Sequence, residues 1–115
     1  MKEKEYLYVG YYYDSDNNFI LKVGTTNDLE RRRKEHTRNY RRAKKHTMPK
    51  EQMFEYLWSR PLSKYNTLRY EDKTRENWKN LEIGKFIRND RFVCKEPPTE
   101  VEITIRKKYK IRVDK

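Results

Sequence analysis

KVGTTNDLERRRKEH, residues 22–36, reads as the end of a strand, a tight glycine turn, a helix cap and a helix that opens on arginines. Leu29, Arg32, His36, Tyr40 and Ala43 recur at spacings of three and four, so they share one stripe of that helix. Such a stripe normally faces a core, yet an arginine and a histidine sit in its middle. A charge there is costly unless it is paired or given a task. A phosphate suits the task, because a guanidinium binds it bidentately.

Working outward, residues 5–13, EYLYVGYYY, are rich in β-formers that alternate around Leu7, Val9 and Tyr11. A turn cluster, residues 14–18, separates them from a second apolar run, residues 19–23, and the two runs predict a β-hairpin. Gly24 is expected to end the second strand, where glycine permits a sharp turn or a close approach. Asn27 with Glu30 three residues on matches a capping box, which starts the helix at about Asp28 and lets it run to about Lys45.

Pro49 punctuates a break, and residues 53–58 form a third candidate strand that Pro61 should end, with a helix as the competing assignment. Asn66 is placed to cap a second helix over residues 67–81, with Leu68, Glu71, Arg75 and Trp78 on one stripe. By spacing alone, Glu71 and Arg75 form an ordinary i,i+4 pair. Residues 91–94 make a short strand after an Asn89–Asp90 turn, and Cys94 reads as a small buried hydrophobe. Beyond a proline-bearing linker, Val101, Ile103 and Ile105, then Tyr109, Ile111 and Val113, alternate as a terminal hairpin or one long strand.

The residues that open the chain resemble the signature of the GIY-YIG endonuclease superfamily. Tyr6-Leu7-Tyr8 matches its first tripeptide and Lys22-Val23-Gly24 its second, with Asp28, Leu29, Arg32 and His36 following in step. The resemblance implies an α/β (α+β) fold, a small, mainly antiparallel three-stranded sheet flanked by helices. The division expected is a nuclease-like domain over residues 1–94 and a C-terminal β extension over 95–115, packed on it.

It also implies an activity: metal-dependent hydrolysis of DNA phosphodiester bonds. Tyr8 would be general base or water-orienting group, Arg32 would stabilise phosphoryl charge, and His36 would assist activation or contact phosphate. Glu71, on a helix after the third strand, would hold one divalent metal, Mg²⁺ or Mn²⁺, with Asp72 and Glu76 as weaker candidates. A single hard carboxylate completed by water and phosphate oxygens is a reasonable Mg²⁺ site. Lys22 stands where the first tyrosine of Y-I-G would be, as in similar phage and viral members. An ammonium does not copy a phenol, but it could lower the Tyr8 pKa or touch phosphate itself. Tyr6 or Tyr11 could take the missing tyrosine's place in space.

Composition narrows the partners. The 115 residues are 34% hydrophobic and 41% charged, so one small domain with a thin core is expected. Ten tyrosines supply bulk where aliphatics are scarce. The formal charge of +11 is clustered, in residues 31–33, 41–45 and 106–108, which points to a polyanion. Arg31, Arg33, Arg41, Arg42, Lys44 and Lys45 are the candidate nucleic-acid contacts. DNA is the expected partner, with RNA and a homodimer left open and no membrane contact, since no amphipathic segment has a continuous apolar face. One cysteine and two histidines give no zinc-finger spacing. The polar N-terminus and reduced cysteine suggest an intracellular location. The rival readings are a nucleic-acid-binding module without catalysis and a basic interaction protein for an acidic partner.

Overall fold

A computed structural model of the chain describes residues 5–62, 64–82, 84–87 and 91–95. Strands β1 (Glu5–Tyr13) and β2 (Phe19–Thr26) form the expected antiparallel hairpin, with Val9 opposite Val23 and Tyr8 opposite Gly24. They are followed by α1 (Leu29–Arg41), β3 (Glu55–Leu62), α2 (Lys64–Lys79), β4 (Gly84–Ile87) and β5 (Arg91–Cys94). The fold class is α+β as expected, and the antiparallel sheet has five strands among the described residues, in the order β3-β1-β2-β5-β4. β4 is an addition to the sequence reading; it pairs with β5, which in turn meets only Phe19–Leu21 of β2.

The period-two alternation of β1 and β2 sends their side chains to two different cores. Leu7, Val9, Phe19, Leu21 and Val23 meet Trp78 of α2, together with Trp58, Phe92 and Cys94. Tyr8, Tyr12 and Ile20 meet Tyr40 of α1, with Met48 and Phe54. One face is therefore largely aliphatic with tryptophans and the other largely aromatic. Cys94 is buried in the first of these, as its small apolar character suggested.

Several boundaries move, each for a reason outside its own stretch. β2 does not stop at Gly24 but runs on to Thr26, and no glycine has a positive φ. The glycine is needed for space: a Cβ there would lie 2.4 Å from the Tyr8 hydroxyl oxygen. Asp28, not Asn27, is the helix cap; its carboxylate accepts the Arg31 N–H at 3.0 Å. α1 ends at Arg41, short of Lys45, because the chain folds back to bury Met48 and the Met48 N–H takes the Tyr40 carbonyl at 2.9 Å. β3 starts and ends later than residues 53–58, and Pro61 lies within it, opposite Tyr6. That is tolerated because β3 is an outer strand among the described residues, where a missing N–H breaks no second ladder. α2 begins at Lys64, so Asn66 sits inside it rather than capping it. The Asn89–Asp90 turn and the alternating stretch beyond residue 95 lie outside the described residues.

A second tie holds the aromatic side in place. The buried Asp14 carboxylate meets His46 Nδ1 at 2.6 Å, and Tyr12 donates its hydroxyl proton to the His46 carbonyl at 2.9 Å. The β1–β2 turn is thereby joined to the segment that follows α1.

Candidate active site

Tyr8 is carried by a central strand and is fully buried. Gly24 opposite it leaves room for the phenol to lie across β2, and Phe54 and Tyr56 pack edge-on against its ring. Its oxygen is 2.6 Å from Nε2 of His36, which is itself 3% exposed. The stripe on α1 does what its spacing suggested: Arg32, His36 and Tyr40 stand one turn apart. His36 stacks parallel on Tyr40, with ring centroids 5.2 Å apart and 6° between planes. Tyr40 is in turn stacked by Tyr12 and sits 5.1 Å beneath the Arg91 guanidinium, whose Nη1 donates to the Tyr12 hydroxyl at 3.0 Å.

Protonation states follow from burial and charge. Burial pushes His36 down, and the nearby charges of Arg32 and Lys22 push the same way, to about 3, so the imidazole is neutral at ordinary pH. Burial pushes the Tyr8 phenol up; hydrogen bonding and charge from Arg32 act against it without prevailing. Between a neutral phenol and a neutral imidazole the tautomer sets the direction: with the ring proton on Nδ1, Tyr8 donates and Nε2 accepts. Lys22 is buried on the same face, opposite Gly10. Its charge is felt at His36 and Glu71, while Arg32, Glu71 and Arg75 are the charges felt at Tyr8. Of the two roles open to Lys22, lowering the Tyr8 pKa is not seen, since Lys22 is not among the charges felt at Tyr8 and desolvation outweighs the cations that are.

Arg32 gives one guanidinium nitrogen to Glu35 at 2.9 Å, and its Nε is buried without a hydrogen-bond partner among the described residues. An unsatisfied donor beside a buried phenol has the chemistry of an anion seat. Glu71 is half-buried on α2, and burial raises its pKa against the pull of Arg75, Lys22 and Arg32. Arg75 stands 3.4 Å from the Glu71 carboxylate, and its Nε is likewise buried and unpartnered among the described residues. Asp72 and Glu76 are exposed and so are poorer candidates for a ligand. No group of three His, Cys, Asp or Glu residues is placed to hold a metal ion among the described residues. Glu71 fits a metal only as the protein's single ligand, with water and phosphate supplying the rest.

Tyr8 and His36 are thus in contact, and the charges of Lys22, Arg32 and Glu71 act on one or both of them. The basic candidates do not. Arg33 is committed to β3, donating to the Phe54 carbonyl at 2.9 Å and to Glu55 at 2.7 Å. Arg31 is exposed and donates to Asn27, and Arg41 donates to the Gln52 carbonyl at 2.7 Å. Arg42, Lys44 and Lys45 are exposed past the end of α1. Of the tyrosines considered as substitutes at the site, Tyr11 lies on the other face, against Phe19.

Two residues of the site escaped the sequence reading. Tyr56 has its ring centroid 5.0 Å from that of Tyr8 and donates its hydroxyl to the Leu29 carbonyl. It stands opposite Gly10, a small-against-large pairing visible only once β1 and β3 are aligned. Arg75 did carry a signal, its place on the stripe with Glu71.

The family model of the T5orf172 domain matches residues 5–107. The chain belongs to the T5orf172 domain family. That family is phage-associated and endonuclease-related, and it is associated with nuclease-like and DNA-binding functions. The buried Tyr8–His36 pair and Arg32 of this T5orf172 domain lie within the matched residues. No curated protein and no solved structure matches the chain.

Proposed function

We propose that this T5orf172 domain is a metal-dependent endonuclease of GIY-YIG type that hydrolyses DNA phosphodiester bonds. The observation that carries the reading is the buried 2.6 Å contact between the Tyr8 hydroxyl and His36 Nε2, with Arg32, whose buried Nε has no hydrogen-bond partner among the described residues, acting on the same phenol. In the proposed reaction a water lying against Tyr8 gives a proton to the phenol oxygen as the phenol passes its own proton to His36 Nε2. The water oxygen forms the new bond to phosphorus, and the bond to the leaving oxygen breaks, its electron pair staying on that oxygen, which takes a proton from solvent. Tyr8 is in this way a relay and an orienting group at once, which suits a phenol whose pKa is raised.

His36 is a weak base while the charges of Arg32 and Lys22 stand beside it. A bound phosphate neutralises those same two charges and so makes the imidazole more basic when substrate is present. The Arg32 guanidinium donates to the phosphoryl oxygens, where negative charge builds. Lys22 adds a second positive charge to that seat. Glu71 would hold the divalent ion, Mg²⁺ or Mn²⁺, with Arg75 steering its carboxylate. When bound, such an ion supplies charge neutralisation at the phosphoryl and leaving oxygens. DNA is the proposed partner inside the cell.

The test is nicking of supercoiled plasmid with Mg²⁺ or Mn²⁺ and with EDTA, for wild type beside Arg32→Ala and Glu71→Ala. The expected result is metal-dependent nicking, reduced by about 10²–10³-fold when the Arg32 donor is lost and abolished in Glu71→Ala. Binding with no cutting under any metal would overturn the enzyme reading and leave a DNA-binding derivative of the fold.

A further inference from the structure

The cations of α1 fall into two groups that the sequence does not separate. Arg31, Arg32 and Arg33, in its first half, each meet a carboxylate: Glu35, Glu35 and the pair Glu30 and Glu55. Lys34, Arg38 and Arg42 form no ion pair among the described residues, and all three are exposed. No acidic residue occurs from position 36 to position 50, while six lysines and arginines do.

These unpaired cations lie on a different side of the helix from the site. At roughly 100° per residue, Lys34, Arg38, Arg41 and Arg42 cluster about opposite the stripe that turns Arg32, His36 and Tyr40 towards the sheet. There they line an open groove of about 330 Å³ together with Thr37 and Met53. The Thr37 hydroxyl is already used, donating to the Arg33 carbonyl and accepting the Phe54 N–H, so it forms a fixed floor. Arg41 is held in place by its bond to the Gln52 carbonyl. Basic side chains in a last helical turn complement the helix dipole. This accounts for some of the charge near the C-terminus but not for Lys34, half-way along, nor for four like charges gathered around one groove.

We propose that this groove is a second phosphate-binding surface, which takes the backbone of the same nucleic acid some nucleotides away from the phosphate held at Arg32. The distance is within reach of one molecule: the helix is about 10 Å thick, or some three base-pair steps of duplex. The proposal rests on the nucleic-acid part of the function above and is independent of cleavage. A groove of exposed cations with no carboxylate between them is suited to sequence-independent, salt-sensitive contact, and it would anchor the substrate while Arg32 seats the scissile phosphate.

The test is fluorescence-anisotropy binding of a duplex of about 20 base pairs in EDTA across a range of KCl, for three proteins. These are wild type, the groove triple Lys34→Ala/Arg38→Ala/Arg42→Ala, and a control triple of equal charge, Lys73→Ala/Lys79→Ala/Lys85→Ala. The groove triple is expected to lower the slope of log K against log salt by about 2–3 and to weaken binding at least tenfold, with the control changing the slope by less than one contact's worth. Restoring charge with Lys34→Arg/Arg38→Lys/Arg42→Lys should restore the slope, since phosphate contact needs the charge more than the donor pattern. Equal slopes for the groove and control triples, in a wild type that binds DNA, would overturn the groove and leave the nuclease reading standing. A wild type with no salt-dependent binding would overturn both.

Discussion

His36 makes a pH-dependent contribution to stability whose sign and size follow from its surroundings. Its folded pKa is depressed, from 6.5 to about 3, first by burial and then by Arg32 and Lys22. The folded state therefore refuses a proton that the unfolded chain accepts. Stability from this group is fully present above about pH 6.5 and falls as pH falls towards 3. The full span amounts to about 5 kcal/mol, of which about 2 kcal/mol is lost between pH 7 and pH 5. The comparison variant is Tyr8→Phe/His36→Phe, which removes both partners of the buried hydrogen bond together and keeps the ring that stacks on Tyr40. Any packing cost in it is independent of pH and cancels in the difference. Urea titrations of both proteins at pH 7 and pH 5 should show wild type losing about 2 kcal/mol more than the variant over that interval. The imidazole resonances of His36 should also remain those of the neutral ring down to pH 5. Equal losses in the two proteins would refute the account, since they would mean that His36 is free to charge within the fold.

Two further outcomes concern the elements that position the site. In Gly24→Ala the new methyl would meet the Tyr8 hydroxyl oxygen at 2.4 Å and Cζ at 2.7 Å, within a packed aromatic cluster. Overpacking of this kind costs about 1–3 kcal/mol. Denaturant titration and plasmid nicking should both suffer, and a cost below about 0.5 kcal/mol would show that Tyr8 has room to move. Asp28→Ala should cost about 0.5–2 kcal/mol by loss of the cap, more than Asn27→Ala, because it is Asp28 that accepts the Arg31 N–H. The reverse order in thermal melts would return the cap to Asn27.

The legible part of the site was the part written within one helix. Arg32, His36 and Tyr40 could be placed on one side because helical periodicity is local, and the charged residues in that stripe marked it as unusual. Glu71 and Arg75 were legible as a pair in the same way. What that pair faces was not, since the charges of Lys22 and Arg32 reach Glu71 from other elements and the pair in turn acts on Tyr8. The misplaced ends tell a consistent story. The helix after His36 stops early because a methionine seven residues beyond its last turn is drawn into the core. Pro61 is accepted by a strand because that strand is outermost. Neither fact can be read from propensities in a window around the residue itself.

By itself the sequence determined the hairpin, the capped basic helix, the α+β class and the side of α1 that carries Arg32 and His36. These depend on spacings of two, three and four residues along the chain. Only the tertiary structure decided that Gly24 is a hollow for the Tyr8 ring, that Asp28 is the cap, that the expected strand at residues 91–94 pairs with β2, and that β4 extends the sheet beyond it. It also decided which cations are spent on carboxylates and which have no ion pair among the described residues along the outer groove. The physical reason is common to all of these: a side chain's room, its partners and its protonation state are set by residues far away in sequence, which come within a few ångströms only when the sheet and helices close around one another.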